Sequence, residues 1–124
     1  MNTAYASFAE FLKAKREERD VTLRELARKM GVSAAFISDV ENGRGSPLKA
    51  ERLEQVATIL NLTNEERSFM YDLAGKQRNA VAPDLPMYIM GKEYVCTALR
   101  TARDLNADEA DWQKFVDDLK TRKG

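Results

Sequence analysis

Two cations, Arg44 and Lys49, stand in the stretch NGRGSPLK, where glycines and a proline mark a loop and packing gives no reason for either charge. They are the best functional candidates among the charged residues, and the chemistry they offer is attraction of an anion. The rest of the inventory argues against catalysis. There is no histidine, which removes imidazole acid–base chemistry and histidine metal ligation, and the one cysteine, Cys96, cannot build a thiolate zinc site. A Gly-rich phosphate loop and a nucleophile elbow are also missing. No catalytic residue, metal ligand or cofactor is expected.

The 20 Lys and Arg residues balance the 20 Asp and Glu residues, so the net charge is zero. The chain therefore lacks the basic excess common among nucleic-acid binders, and any affinity for nucleic acid must come from where its charges sit. Its 124 residues fit one domain, or a small domain with a helical extension, and 44% hydrophobic content suffices for a core. No apolar run approaches the ~20 residues of a membrane helix, so no membrane partner is expected. Met1 to Glu10 shows no basic segment followed by an apolar one, hence no secretory signal. A lone cysteine suits the cytosol, and a cytoplasmic location is expected.

Around the cationic loop the apolar spacing is helical throughout, which predicts an all-α fold. Tyr5, Phe8, Phe11 and Leu12 form one amphipathic helix that fades into KREERD near Asp20. Thr22 and Glu25 match a capping box that opens a second helix, with Leu26, Ala27 and Met30 inward and Gly31 at its end. Ser33 caps a third, running to about Asn42 with Ile37 and Val40 inward. A fourth carries Leu53, Val56, Ala57 and Leu60. Thr63 and Glu66 open a fifth, with Phe69, Met70 and Leu73, ending at Gly75. These boundaries give a domain over 4–75. The proline-bearing KQRNAVAPDLP over 76–86 reads as a linker, and 87–124 as a helical extension. In the extension a break at Gly91 precedes a helix using Val95, Leu99 and Ala102. Asn106 to Asp108 then precedes one carrying Trp112, Phe115, Val116 and Leu119.

The bend between the second and third helices has the spacing of a helix-turn-helix, in which two helices cross at ~90–120° through a short turn. Ala27 supplies the small side chain for the close crossing, and Gly31 tolerates the positive φ of the turn. Ile37 and Val40, three apart, seat the third helix on the second.

TLRELARKMGVSAAFISDVENGRGSP resembles the run through helices two and three of the lambda-repressor-like (Xre or Cro type) helix-turn-helix regulators, and the resemblance covers Phe8 to Ala74. It implies a five-helix domain that binds double-stranded DNA, with a buried ion pair between Arg16 and Glu41. It makes Ser33 to Asn42 the recognition helix of the major groove, with base-reading positions at Ala34, Ala35, Ser38 and Asp39. Ser38 can bond several base edges, Asp39 can accept from a cytosine amino group, and the alanines can touch thymine methyls. Phosphate contacts are implied at the helix starts, Thr22 to Arg24 and Ser33, and at Asn42, Arg44 and Lys49. This helix departs from the glutamine- and arginine-rich helices of well-known members. No bidentate arginine–guanine or glutamine–adenine contact is available at these positions, so DNA shape is expected to carry a larger share of the discrimination. Pro83 to Gly124 resembles, more loosely, the tails of small bacterial regulators of this type.

Several residues read more simply as structure. Phe36 is expected to pack rather than to reach a groove, Arg28 and Lys29 to form a solvated face, and KREERD to be a solvated helix end. Cys96 is expected to be a small buried side chain rather than a redox sensor. Asp39 either reads cytosine or caps a local arginine, and base reading is favoured. The extension's helices each carry an apolar face that neither can bury alone. Val95, Leu99, Trp112, Phe115 and Leu119 are therefore a candidate dimer or partner surface. The reading is a dimeric regulator, most simply a repressor on an inverted repeat. The alternative is an antitoxin or adaptor whose C-terminal helices hold another protein, such as a toxin, with DNA binding serving autoregulation.

Overall fold

The computed structural model describes residues 5–124, which form eight α-helices and, among the described residues, no strand. The start of the domain at residue 4 lies outside the described residues. Two compact units divide within the sixth helix, after Met87.

In the first unit, α1 (Phe8–Glu18), α2 (Leu23–Met30), α3 (Ala34–Glu41), α4 (Ala50–Ile59) and α5 (Asn64–Arg78) enclose one core. Each of the apolar stripes contributes: Phe11 and Leu12 from α1, Leu26 from α2, Ile37 from α3, Leu53 and Val56 from α4 and Met70 from α5 are fully buried. Burial of each such side chain is worth roughly 1.5–3 kcal/mol. Helix starts follow the capping chemistry. The hydroxyls of Ser7, Thr22, Ser33 and Thr63 accept the amides three residues on, each satisfying one orphan donor. The Thr63–Glu66 box is complete, whereas at α2 only the Thr22 half forms, and the Glu25 carboxylate lies 3.4 Å from Lys29. Gly31 closes α2 at φ +72°, and the Val32 amide donates to the Ala27 carbonyl at 3.0 Å.

Further features of the first unit differ from the sequence reading. First, α5 does not end at Gly75; it runs on to Arg78 and closes at Asn79 in the left-handed region. Gly75 serves close approach instead, since a Cβ there would lie 2.8 Å from the Ala82 amide nitrogen and 2.9 Å from the Ala80 carbonyl oxygen. Residues 76–86 are consequently no free linker. They finish α5, fold against it, and enter α6 (Asp84–Ile89). Secondly, KREERD is not uniformly solvated. Lys15 is 5% exposed and Arg16 9%, each held by a carboxylate from a distant helix. Thirdly, Phe36 stays outside the core and is 38% exposed on α3.

The second unit holds α7 (Glu93–Asp104) and α8 (Glu109–Lys123), joined through Asn106 at φ +57°. The Ala107 amide closes α7 on the Ala102 carbonyl at 2.8 Å, and Asp108 with Asp111 forms a capping box. Neither helix contains a buried residue. Leu99, Trp112, Phe115 and Val116 are exposed, and Val95, Cys96 and Leu119 are only half-buried. Cys96 is thus not the buried side chain expected of it. The Trp112 and Phe115 rings meet edge to face at 6.1 Å.

Candidate nucleic-acid interface

The α2–turn–α3 unit presents one side of α3 to solvent. Ile37 and Val40 lie inward, while Ala35, Asp39 and Asn42 are exposed and Ala34 and Ser38 half-buried on the opposite side. At about 100° per residue these five positions share a face, and Phe36 lies outside it, between Asp39 and Val40.

Charges outside α3 hold that face in place. Glu41, the last residue of α3, takes a bidentate bond from the Arg16 guanidinium of α1, at 2.6 and 3.0 Å. The third donor of Arg16 reaches the Val21 carbonyl at 2.9 Å, just before α2. One planar guanidinium thereby ties α1, the approach to α2 and the end of α3. The hydrogen bond to Glu41, working against burial, holds the Arg16 pKa above its ordinary value. Sequence reading missed a second tie. Arg52 of α4 donates to the Met30 carbonyl at 2.8 Å and satisfies the C-terminal end of α2. Nothing in the apolar stripe flanking Arg52 signals this role.

The polar atoms of the face are largely engaged with one another. The Asn42 side-chain amide donates to the Ser38 carbonyl at 2.8 Å and lies 3.4 Å from the Ser38 hydroxyl. Asp39 faces Arg44, with Oδ1 to Nη2 at 3.4 Å, and the Arg44 backbone amide donates to the Asp39 carbonyl at 2.8 Å. Asp39 thus lies beside a local arginine, one of the two roles that the sequence reading gave it, and its carboxylate stays exposed. The turn that allows this has Gly43 at φ +75° and Gly45 at φ +81°, a conformation that disfavours side chains. Arg24, Arg44 and Lys49 are all exposed, and among the described residues neither Arg24 nor Lys49 makes an ion pair within 4.0 Å. Thr22 and Ser33 are exposed at the helix starts, their hydroxyls spent as caps. Lys49 occupies the N-cap position of α4, and no side chain caps that helix. The loop itself is tied down from α5, where Arg78 donates to the Pro47 carbonyl at 3.3 Å.

The family model described as "Helix-turn-helix domain" matches residues 7–70, more than half of the chain. The chain belongs to the helix-turn-helix domain family. The match spans α1 to α4 and the first half of α5, and leaves α6 to α8 outside it. Among relatives of this helix-turn-helix protein is the HTH-type transcriptional repressor RghR of Bacillus subtilis (strain 168), 38% identical over 77 residues, which are 62% of this chain and 57% of that protein. The ImmF control region 10 kDa protein of Bacillus phage phi105 is 37% identical over 51 residues, 41% of this chain and 56% of that one. An uncharacterized HTH-type transcriptional regulator of Mycobacterium tuberculosis (strain ATCC 25618 / H37Rv) is 38% identical over 55 residues, 44% of this chain and 39% of that one. The helix-turn-helix chain thus spans little more than half the length of the first two. Among its described residues, no group of three or more Cys, Asp or Glu side chains is placed to hold a metal ion. Among the described residues no helix is long and apolar enough to cross a membrane.

Proposed function

We propose that the chain is a sequence-specific DNA-binding transcriptional regulator, acting in the cytoplasm as a dimeric repressor. α3 is its recognition helix, with Ala34, Ala35, Ser38 and Asp39 toward the bases and Thr22, Arg24, Ser33, Asn42, Arg44 and Lys49 toward the phosphates. The observation that carries this reading is the exposed side of α3, fixed by the Arg16–Glu41 bond and bordered by cations that the fold leaves in solvent. The repressor name of the Bacillus subtilis relative, 38% identical over 77 residues, supports the regulatory role. Enzymatic chemistry has no part in it.

Phosphate contacts position a protein without reading sequence, and each neutralised phosphate adds about 0.9 to the slope of log affinity against log salt. Arg44→Ala is therefore expected to weaken binding to all duplexes alike and to flatten that slope by about one. Anisotropy titrations of labelled duplexes between low and near-physiological salt check this. An unchanged slope with altered site preference would reassign Arg44 to base reading.

Dimerisation is proposed through α7 and α8, using Val95, Leu99, Trp112, Phe115 and Leu119. Two helices that bury no residue cannot stabilise themselves by core formation. A second domain on the other half of an inverted repeat raises affinity through effective concentration. The second reading, an adaptor or antitoxin whose helices hold another protein, draws on the same exposed face. A dimer in sedimentation equilibrium supports the first reading, and a monomer at all concentrations favours the second.

A further inference from the structure

We infer that Arg78, the last residue of α5, is a positioning residue for DNA binding: it braces the loop that carries Arg44 and Lys49. This rests on the reading that those two cations meet phosphate, and names what holds them in place.

The loop needs a brace. Residues 44–49 belong to no helix or strand, and Gly43 and Gly45 on its first side both hold positive φ. It is anchored at one end by the Arg44 amide on the Asp39 carbonyl, and at the other by Leu48, which is buried in the core. Between these anchors stand Gly45, Ser46 and Pro47. Among the described residues, the only hydrogen bond they make is the one that the Pro47 carbonyl accepts from Arg78 Nη2, at 3.3 Å and 31 positions along the chain. That guanidinium reaches the loop because α5 runs past Gly75 to Arg78. The extra turn is closed by a backbone that doubles back over Gly75. Asn79 takes φ +54°, and the Ala80 amide donates to the Gly75 carbonyl at 2.9 Å. Val81, Pro83 and Pro86 of the returning segment line one shallow groove together with Lys49, Ala50 and Arg78. The extra turn, its return and the cationic loop thus form one packed corner of the first unit. A loop fixed before DNA arrives has less freedom to lose on binding, so the brace raises affinity without touching a base or a phosphate.

A brace and a further phosphate contact differ in salt dependence, and the test, on the intact chain, uses that difference. Arg78→Ala is expected to weaken binding about fivefold at each half-site, the ordinary worth of one hydrogen bond. The slope of log affinity against log salt stays unchanged, because no phosphate contact is lost. In the DNA-free variant the backbone order of residues 44–49, measured by nitrogen-15 relaxation, falls. Arg78→Lys, which keeps a donor of similar reach, recovers most of the binding. Gly75→Ala keeps every charge and displaces the returning backbone, whose Ala82 amide nitrogen would lie 2.8 Å from the new Cβ. Once circular dichroism shows it folded, it is expected to loosen the same loop, weaken binding without changing the slope, and add little to Arg78→Ala. Binding by Arg78→Ala within twofold of the unaltered chain overturns the inference. So does a slope flattened by about one with the loop as ordered as before, which makes Arg78 a phosphate contact. If Arg44→Ala and Lys49→Ala both bind as the unaltered chain does, the reading of the loop itself fails, whatever Arg78 does.

Discussion

Replacing Glu41 by alanine is expected to lower the unfolding free energy by about 3–5 kcal/mol, the usual cost of stranding one partner of a buried ion pair. The Arg16 and Glu41 side chains are only 11% and 5% exposed, so water cannot replace the lost carboxylate. The guanidinium would keep its bond to the Val21 carbonyl and lose both of its charged ones. Such a loss is a large part of the ~5–15 kcal/mol by which domains are stable. The pair itself need not be stabilising, since removing two charges from water costs about as much as their attraction returns. Arg16→Met with Glu41→Leu is therefore expected to recover most of the loss. Urea unfolding followed by circular dichroism at neutral pH measures both variants. A cost below about 1 kcal/mol for Glu41→Ala would mean that the pair behaves like an exposed one. Because Glu41 ends α3, the single variant should also bind DNA more weakly even where it remains folded.

The second large effect centres on Glu66, which joins α1 to α5. One carboxylate accepts the Thr63 amide at 2.9 Å and Arg19 at 2.6 Å on one oxygen, and Lys15 at 3.0 Å on the other. Burial works to raise its pKa, but the Thr63 amide, Lys15 and Arg19 together outweigh it and bring the group from 4.5 down to about 2. Lys15 is shifted upward: burial opposes this, and the bond to Glu66 prevails. A carboxyl whose folded pKa lies below its unfolded one stabilises the fold above the unfolded value and loses that contribution as pH falls through the folded value. From the 4.5 and 2 just given, Glu66 contributes roughly 3 kcal/mol at neutral pH. This contribution fades between about pH 5 and pH 2. Glu66→Gln should be destabilised at pH 7 by a similar amount and show a flatter stability profile across that window. Parallel profiles for the two proteins would locate the acid sensitivity elsewhere, with Glu54 the next candidate. Its pKa is lowered by the hydrogen bond from Tyr71, then by Arg67, but its side chain is half exposed and its contribution correspondingly smaller.

Much of the first unit was legible before any coordinates. Apolar residues three and four apart mark α1 to α5, and the caps Thr22, Ser33 and Thr63 set the starts of α2, α3 and α5 to within a residue. What escaped depends on the third dimension. Gly75 reads as a stop because glycine is common past helix ends, yet here it makes room for a returning backbone, and one sequence cannot separate the two uses. KREERD reads as solvated because its signs balance locally. Lys15 nonetheless turns inward toward Glu66, 51 positions away, and sequence spacing carries no trace of that pair, whereas the bond from Arg16 to Glu41 is the one that the family resemblance implied. At the candidate interface, the outward positions of α3 follow from the inward pair Ile37 and Val40. The engagement of Asp39 with Arg44 and the exposure of Phe36 depend on how the glycine turn folds back and on what lies beside α3.

The central claim, that α3 reads DNA on behalf of a dimer, is tested most directly by selection from random duplex DNA. The purified chain is used at near-physiological salt, and the retained fraction is sequenced. The account predicts an enriched inverted repeat whose half-sites lie about one helical turn apart, ~10 base pairs centre to centre. A folded, helical chain that retains no sequence over any other would contradict it.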